Sequence, residues 1–206
     1  MTRILLAALA LCVVLRPAEG YIDAFRPASL GEVCARADSV TVMKVDKFSK
    51  EKGVIIYRKV KDLKGAFPRD DFREVLSKAH LEGDRKHRLD WVAEGKTVLV
   101  FRYENRVAVC IGDHWSVGDQ APPKDKEEVY TMATRTEPFF LQSYCGDAKK
   151  LLLAVTDLLA GKEVVVPCMI GGRDKELRDR TGKLAQVRTN LKQKGFDPKR
   201  DLVKEK

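Results

Sequence analysis

Thr97-Val98-Leu99-Val100-Phe101-Arg102-Tyr103, followed by Glu104-Asn105 and Arg106-Val107-Ala108-Val109-Cys110-Ile111, is the stretch whose reading decides the fold. Both arms are short and rich in β-branched and aromatic residues, and Asn105 tolerates the positive φ of a tight turn. The run therefore reads as a β-hairpin. Val98 to Phe101 is apolar without alternation, which predicts a strand buried on both faces. Upstream, Val40 to Phe48 and Val54 to Val60 form a second hairpin across the charged turn Lys47 to Lys52, closed by Gly53. Phe72 to Leu76 is a third, shorter strand. Short strands at this spacing predict a small closed barrel or sandwich, giving a mainly β chain with flanking helices, an α+β arrangement.

The helices are read from their caps. Ser29 caps a short helix to Ala37, with Glu32 three residues on and Leu30, Val33, Cys34 and Ala37 on one face. Asp147 caps a longer one over 148–160, with Leu151, Leu152, Val155, Leu158 and Leu159 on one side and Gly161 past its end. Ser77 to Arg88 reads as a polar surface loop, and Asp90 to Gly95 as one helical turn. Gly112 to Asp125 reads as a turn-rich connection. Glu163 to Cys168 is a last strand, placed at an edge by Pro167. Residues 173–194 read as a charged helix with a thin apolar stripe of Leu177, Leu184, Val187 and Leu191, weakened by Gly182.

The N-terminus is a separate segment. Met1-Thr2-Arg3 is a short basic start and Ile4 to Leu15 is almost unbroken apolar sequence. Pro17 then breaks any helix, and Ala18 and Gly20 put small residues where a signal peptidase needs them. Residues 1–20 read as a cleavable secretory signal, so the expectation is export to the periplasm or the extracellular space. Residues 21–170 follow as the folded domain and 171–206 as a basic C-terminal helix and tail. No later apolar run reaches the ~18–20 residues of a membrane span, so no transmembrane span is expected in the mature chain.

Export gives the cysteines a meaning. Cys12 leaves with the signal, and Cys34, Cys110, Cys145 and Cys168 remain. An even number in an oxidising compartment predicts two disulfides, with Cys34–Cys110 and Cys145–Cys168 the preferred pairing. Free buried thiols are the alternative. None of the spacings resembles the close pairs of a zinc site, so no metal is expected at these residues, and no cofactor is expected anywhere.

The whole chain carries 39 Lys+Arg against 30 Asp+Glu, a formal charge of +9. Loss of Arg3, Arg16 and Glu19 leaves +8, of which +6 lies in residues 173–206 and only +2 in the body. A basic groove with stacking aromatics is therefore not indicated, and nucleic acid is not an expected partner. The terminal charge reads either as a solvated face or as a docking element for an anionic surface, through Arg173, Lys175, Arg180, Lys183, Arg188, Lys192 and Lys194.

No G-x-S-x-G, H-E-x-x-H or Walker loop occurs. His80 and His87 stand seven apart in a polar stretch, which is not a metal spacing. Asp113-His114-Trp115 is the one suggestive cluster, a candidate binding mouth. Its plainer reading is a turn whose Trp115 packs on the barrel end.

The run Cys34-Ala35-Arg36-Ala37-Asp38-Ser39-Val40, the strand ending Lys44-Val45 and the segment Ile56 to Gly65 together resemble the opening of TIMP/netrin-like modules. Glu94 to Phe101 and Cys110-Ile111-Gly112 also fit, so the resemblance covers about residues 28–115. The chain looks like uncharacterised exported bacterial proteins of this kind. The resemblance implies a five-stranded OB-type barrel preceded by a helix and a cysteine, here with C-terminal helices added. Metalloproteinase inhibition in that family uses a cysteine at the mature N-terminus. Here the first cysteine would stand thirteen residues after Tyr21, so that activity is not carried over. The expectation is a non-enzymatic binding module for an unidentified protein or envelope component. Its rivals are an envelope structural protein docked through the basic C-terminal helix, and a hydrolytic or metal-dependent enzyme centred on Asp113-His114-Trp115.

Overall fold

The computed structural model describes residues 28–76, 82–121, 128–133, 137–171 and 174–203. Residues 1–20, read above as a signal, His80 and Arg173 lie outside the described residues. In chain order the elements are α1 (Leu30–Arg36), β1 (Ser39–Ser49), β2 (Val54–Lys64), β3 (Asp71–Val75), α2 (Glu82–Asp90), β4 (Thr97–Tyr103), β5 (Arg106–Ile111), β6 (His114–Gln120), β7 (Val129–Ala133), α3 (Glu137–Leu141), α4 (Ala148–Leu159), β8 (Val164–Ile170), α5 (Asp174–Arg178), β9 (Lys183–Thr189) and α6 (Pro198–Asp201).

Strands β1 to β7 close into a barrel in the order β1-β2-β3-β7-β6-β5-β4, with β4 returning to β1. All neighbours are antiparallel except β3 and β7. Closure leaves this sheet no free edge. The chain is thus mainly β, with a closed barrel and a few short helices, but the barrel has seven strands where five were expected. The additions are β6 and β7, and β6 falls in the stretch read as turns. Only two residues, Gly112 and Asp113, separate Ile111 from its partner His114, so β5 continues directly into another hairpin.

Period-two alternation divides the apolar residues between two cores. Val98 and Val100 point into the barrel with Met43, Val45, Ile55, Tyr57, Phe72, Val107, Val109, Ile111 and Tyr130. Leu99 and Phe101 point outward, into a layer with Trp115, Cys110 and residues of α1, α4 and β8. Val98 to Phe101 are all fully buried, as the unalternating run requires.

The cap readings hold at both main helices. Ser29 accepts the Glu32 N–H at the start of α1, and Asp147 accepts the Lys149 and Lys150 N–H groups at the start of α4. Gly161, at φ 82°, follows the α4 cap.

Two segments differ from expectation. The polar stretch before Asp90 is the helix α2, whose Arg88 and Leu89 are buried. Residues 173–194 are not one helix. After the short α5 the chain turns at Thr181-Gly182 and runs back as β9, paired along its length with β8. Gly182 is the break, because a Cβ there would press on the Met169 side chain. Val187 and Thr189 are buried on β9 while Leu184 is 66% exposed, which is strand burial rather than a helical stripe. The boundary expected at 170/171 therefore falls between two paired strands. Val166, Cys168, Met169, Leu177 and Val187 share one core with Leu99 and Trp115. At the other contact of this unit, the Gly31 N–H donates to Thr189 Oγ1 at 2.9 Å, and any Cβ on Gly31 would collide with the Asn190 carbonyl.

Candidate functional site

The Asp113-His114-Trp115 cluster divides in the structure. Trp115 points outward from the barrel wall into the second core at 1% exposure, and its Nε1–H donates to the Tyr144 carbonyl at 3.0 Å. It stacks on Phe140 at 4.8 Å between ring centroids. Trp115 is a packing residue, on strand β6 and not in the turn at the barrel end where the plainer reading put it. His114, one position before it, faces the opposite way and stacks on Trp91 with centroids 4.1 Å apart and planes 2° from parallel. Asp113 lies 3.3 Å from His114 Nε2 and receives Arg180 twice, at Oδ2 (2.8 Å) and at its carbonyl oxygen (2.6 Å). Burial works to raise the Asp113 carboxyl, but His114 and the Arg180 bond outweigh it and hold it below the usual carboxylate range. Arg180 itself has φ 55°, uncommon for a residue with a Cβ, at the turn that ends α5. Its side chain clips this turn to the β5–β6 hairpin, so Arg180 belongs to this cluster and not to a docking face.

Behind Trp91 lies a group that the sequence did not disclose. Arg88 enters the barrel from α2, and its Nη2 donates to Glu74 Oε2 at 2.7 Å and to Tyr57 Oη at 2.8 Å. Tyr57 Oη donates to the same Glu74 oxygen at 2.6 Å, and Ser116 Oγ to the other at 3.3 Å. Arg88 and Glu74 are each 1% exposed. Arg88 Nε and Nη1 are buried with no hydrogen-bond partner among the described residues, and the guanidinium sits 5.8 Å over the Trp91 ring. The one available signal is the pattern Phe72-Arg73-Glu74-Val75-Leu76, which puts a carboxylate on the apolar, inward-facing side of β3.

Burial pushes the Tyr57 phenol well above its ordinary value, against the lowering effect of Arg88 and with the help of Glu74. Burial does the same to Tyr103 and Tyr144. The folded chain therefore holds more phenol protons than the unfolded one once pH passes about 10. Stability is intact below that point and declines as pH rises beyond it. Urea midpoints measured between about pH 8 and 11 should fall above about pH 10, and a flat midpoint would contradict this placement of the phenols.

The second candidate site is built on the turn after β9. Asn190 Oδ1 accepts the Lys192 N–H at 3.0 Å and the Asn190 carbonyl accepts the Gln193 N–H, which fixes the turn and projects Lys192 outward. Asp197 caps α6 through the Lys199 N–H, with Pro198 at the first helical position. Asp201 Oδ2 accepts the Asp197 N–H in return. These two turns border a cleft of ≈ 350 Å³ lined by Glu163, Arg188, Asn190, Lys192, Gln193, Arg200 and Asp201. A second cleft of ≈ 480 Å³, with Arg36, Lys192 and Lys194 on its walls, adjoins it through Lys192 and Gln193. Gln193 is 8% exposed and its Oε1 is buried with no partner among the described residues. Arg200 is bonded to Asp201 at 2.6 Å, and Arg188 lies 4.0 Å from Glu163. Burial works to raise the Asp201 carboxyl, but Arg200, the Asp197 N–H and Gln193 outweigh it and hold it low. Of the basic residues expected to act together, Arg188, Lys192 and Lys194 meet here. Lys175 lies in α5 and Lys183 at the far end of β9, both exposed. Arg36 joins the site from α1, and Arg200 from the basic C-terminal segment, although it was not among the residues named for docking.

Cys34, Cys110, Cys145 and Cys168 stand as thiols, with no disulfide among the described residues, in contrast to the two disulfides expected. Cys34 and Cys110 lie in the same core layer with no disulfide between them. Cys110 stands opposite Leu99, and the helical turn carrying Cys34 is held by Tyr103 and Lys64. Burial raises the Cys34 thiol to about 12, with Lys64 opposing.

Among the described residues, no group of three or more His, Cys, Asp and Glu is placed to hold a metal ion, and no helix is long and apolar enough to cross a membrane. Comparison with protein-family models, with curated proteins and with solved structures found no match to this chain.

Proposed function

We propose that this chain is an exported, non-enzymatic binding module. In this reading a small OB/TIMP-like barrel carries a C-terminal β-unit that docks on an anionic component of the cell envelope. The observation that carries it is the convergence of Arg36, Arg188, Lys192, Lys194 and Arg200 around two adjoining clefts. Their carboxylate partners leave the rim with an excess of positive charge, which favours an anionic ligand. The OB-type reading is supported by three features: β4 closing on β1, a helix between β3 and β4, and a last barrel strand parallel to β3. The rival centre at Asp113-His114-Trp115 draws no support from Trp115, which is committed to the core, or from Asp113, which is committed to Arg180.

Removing residues 173–206 would strip β9 from β8 and expose Val166 and Cys168, so point variants give the cleaner test. The double variant R188E/K192E reverses two charges on the exposed rim. Co-sedimentation with phosphatidylglycerol vesicles at low and high salt should show binding weakened on the order of thirtyfold in the variant, from about 1 kcal/mol per basic residue at an anionic surface. Native binding should itself fade at high salt. Equal partition of native and variant chains would sink the docking reading.

A further inference from the structure

We propose that Cys145 and Cys168 form a disulfide, and that Cys34 and Cys110 remain thiols in the same molecule. The Cys145 N–H donates to the Pro167 carbonyl oxygen at 2.9 Å. That oxygen belongs to the peptide leading directly into Cys168. Standard backbone dimensions then hold the two Cα atoms to no more than about 6.6 Å apart. Disulfides form at Cα separations of about 4.4–6.8 Å. The Cys168 Sγ lies 3.2 Å from the carbonyl oxygen of Ser143, two residues before Cys145, so this side chain faces the segment that carries Cys145. Cys145 is only partly buried while Cys168 is 2% exposed, which sets the order of reaction.

The oxidant is a small-molecule or protein disulfide. The Cys145 sulfur, losing its proton, attacks one sulfur of that disulfide and expels the other as a thiol, leaving a mixed disulfide on Cys145. The Cys168 sulfur, losing its proton, then attacks Cys145 Sγ and expels the second thiol. Two electrons and two protons pass from the pair to the oxidant, which is reduced to two thiols. The bond joins the α3–α4 connector to β8, and so fastens to the barrel layer the strand that carries β9 and the basic clefts. Cys34 and Cys110 are each fully buried, at 0% exposure, so neither thiol meets an oxidant from outside the fold.

The test uses the folded chain purified in reduced form and treated with oxidised glutathione, so that its outcome does not depend on export or on any ligand. Remaining thiols are alkylated after denaturation and a non-reducing peptide map is recorded. The expected result is one crosslink, joining the Cys145 peptide to the Cys168 peptide, with Cys34 and Cys110 alkylated. Alkylation of both Cys145 and Cys168, or a crosslink that includes Cys34 or Cys110, would overturn the proposal.

Discussion

Replacing Arg88 with methionine is expected to destabilise the folded chain by about 3–5 kcal/mol, the range for removing one partner of a buried ion pair. Methionine keeps most of the side-chain stem, so the loss is electrostatic more than steric. What it leaves behind is Glu74, 1% exposed and deprived of its positive partner. Tyr57 and Ser116 still donate to its two oxygens, but neither supplies a charge. The double variant E74L/R88M should lose less than the sum of the single variants, because an apolar pair leaves no uncompensated charge in the barrel. Urea denaturation of the three variants measures this. A loss below about 1 kcal/mol for R88M, the level of an exposed pair, would show that the pair is solvated.

Trp115→Ala is expected to cost a comparable amount, about 3–5 kcal/mol, as truncation of a large buried aromatic does. The side chain bridges two layers: its ring stacks on Phe140 and packs near Phe101, and its Nε1–H satisfies the Tyr144 carbonyl. Losing it opens a cavity between the barrel wall and the α3–α4 connector and leaves a buried carbonyl unpaired. Trp115→Phe keeps the packing and loses only the donor, so about 1–2 kcal/mol is expected. Thermal or urea unfolding followed by circular dichroism gives both values. A Trp115→Ala chain with unchanged stability would instead return Trp115 to the role of a surface ligand contact.

How far the residues disclose the fold depends on whether local pattern and burial agree. They agree in the β4–β5 hairpin and in the two capped helices, where apolar spacing, cap residue and stop residue all point one way. They disagree at α2, because the face this helix buries carries Arg88, and a helix whose inward anchor is a guanidinium has almost no apolar stripe to read. At β6 the alternation of Trp115 and Val117 with His114, Ser116 and Gly118 is a strand signal. Gly112, Gly118 and the nearby prolines mask it with turn chemistry. At β9 the spacing of Leu177, Leu184, Val187 and Leu191 mimics a helical face, and tertiary pairing with β8 decides the matter. The site shows the same division. Lys192 and Arg188 are legible as charge, but their meeting with Arg36 and Arg200 is made by chain reversals that no local pattern encodes.

The proposed docking role is tested most directly by mapping where an anionic ligand touches the chain. Amide chemical shifts of the native protein titrated with soluble glycerophosphoglycerol, the headgroup of the vesicle lipid, would give that map residue by residue. The prediction is saturable shifts confined to Arg36, residues 188–194 and residues 199–201. Shifts at His87–Trp91 and Asp113–His114 with none around Lys192 would contradict it, and would move the binding surface to the barrel end.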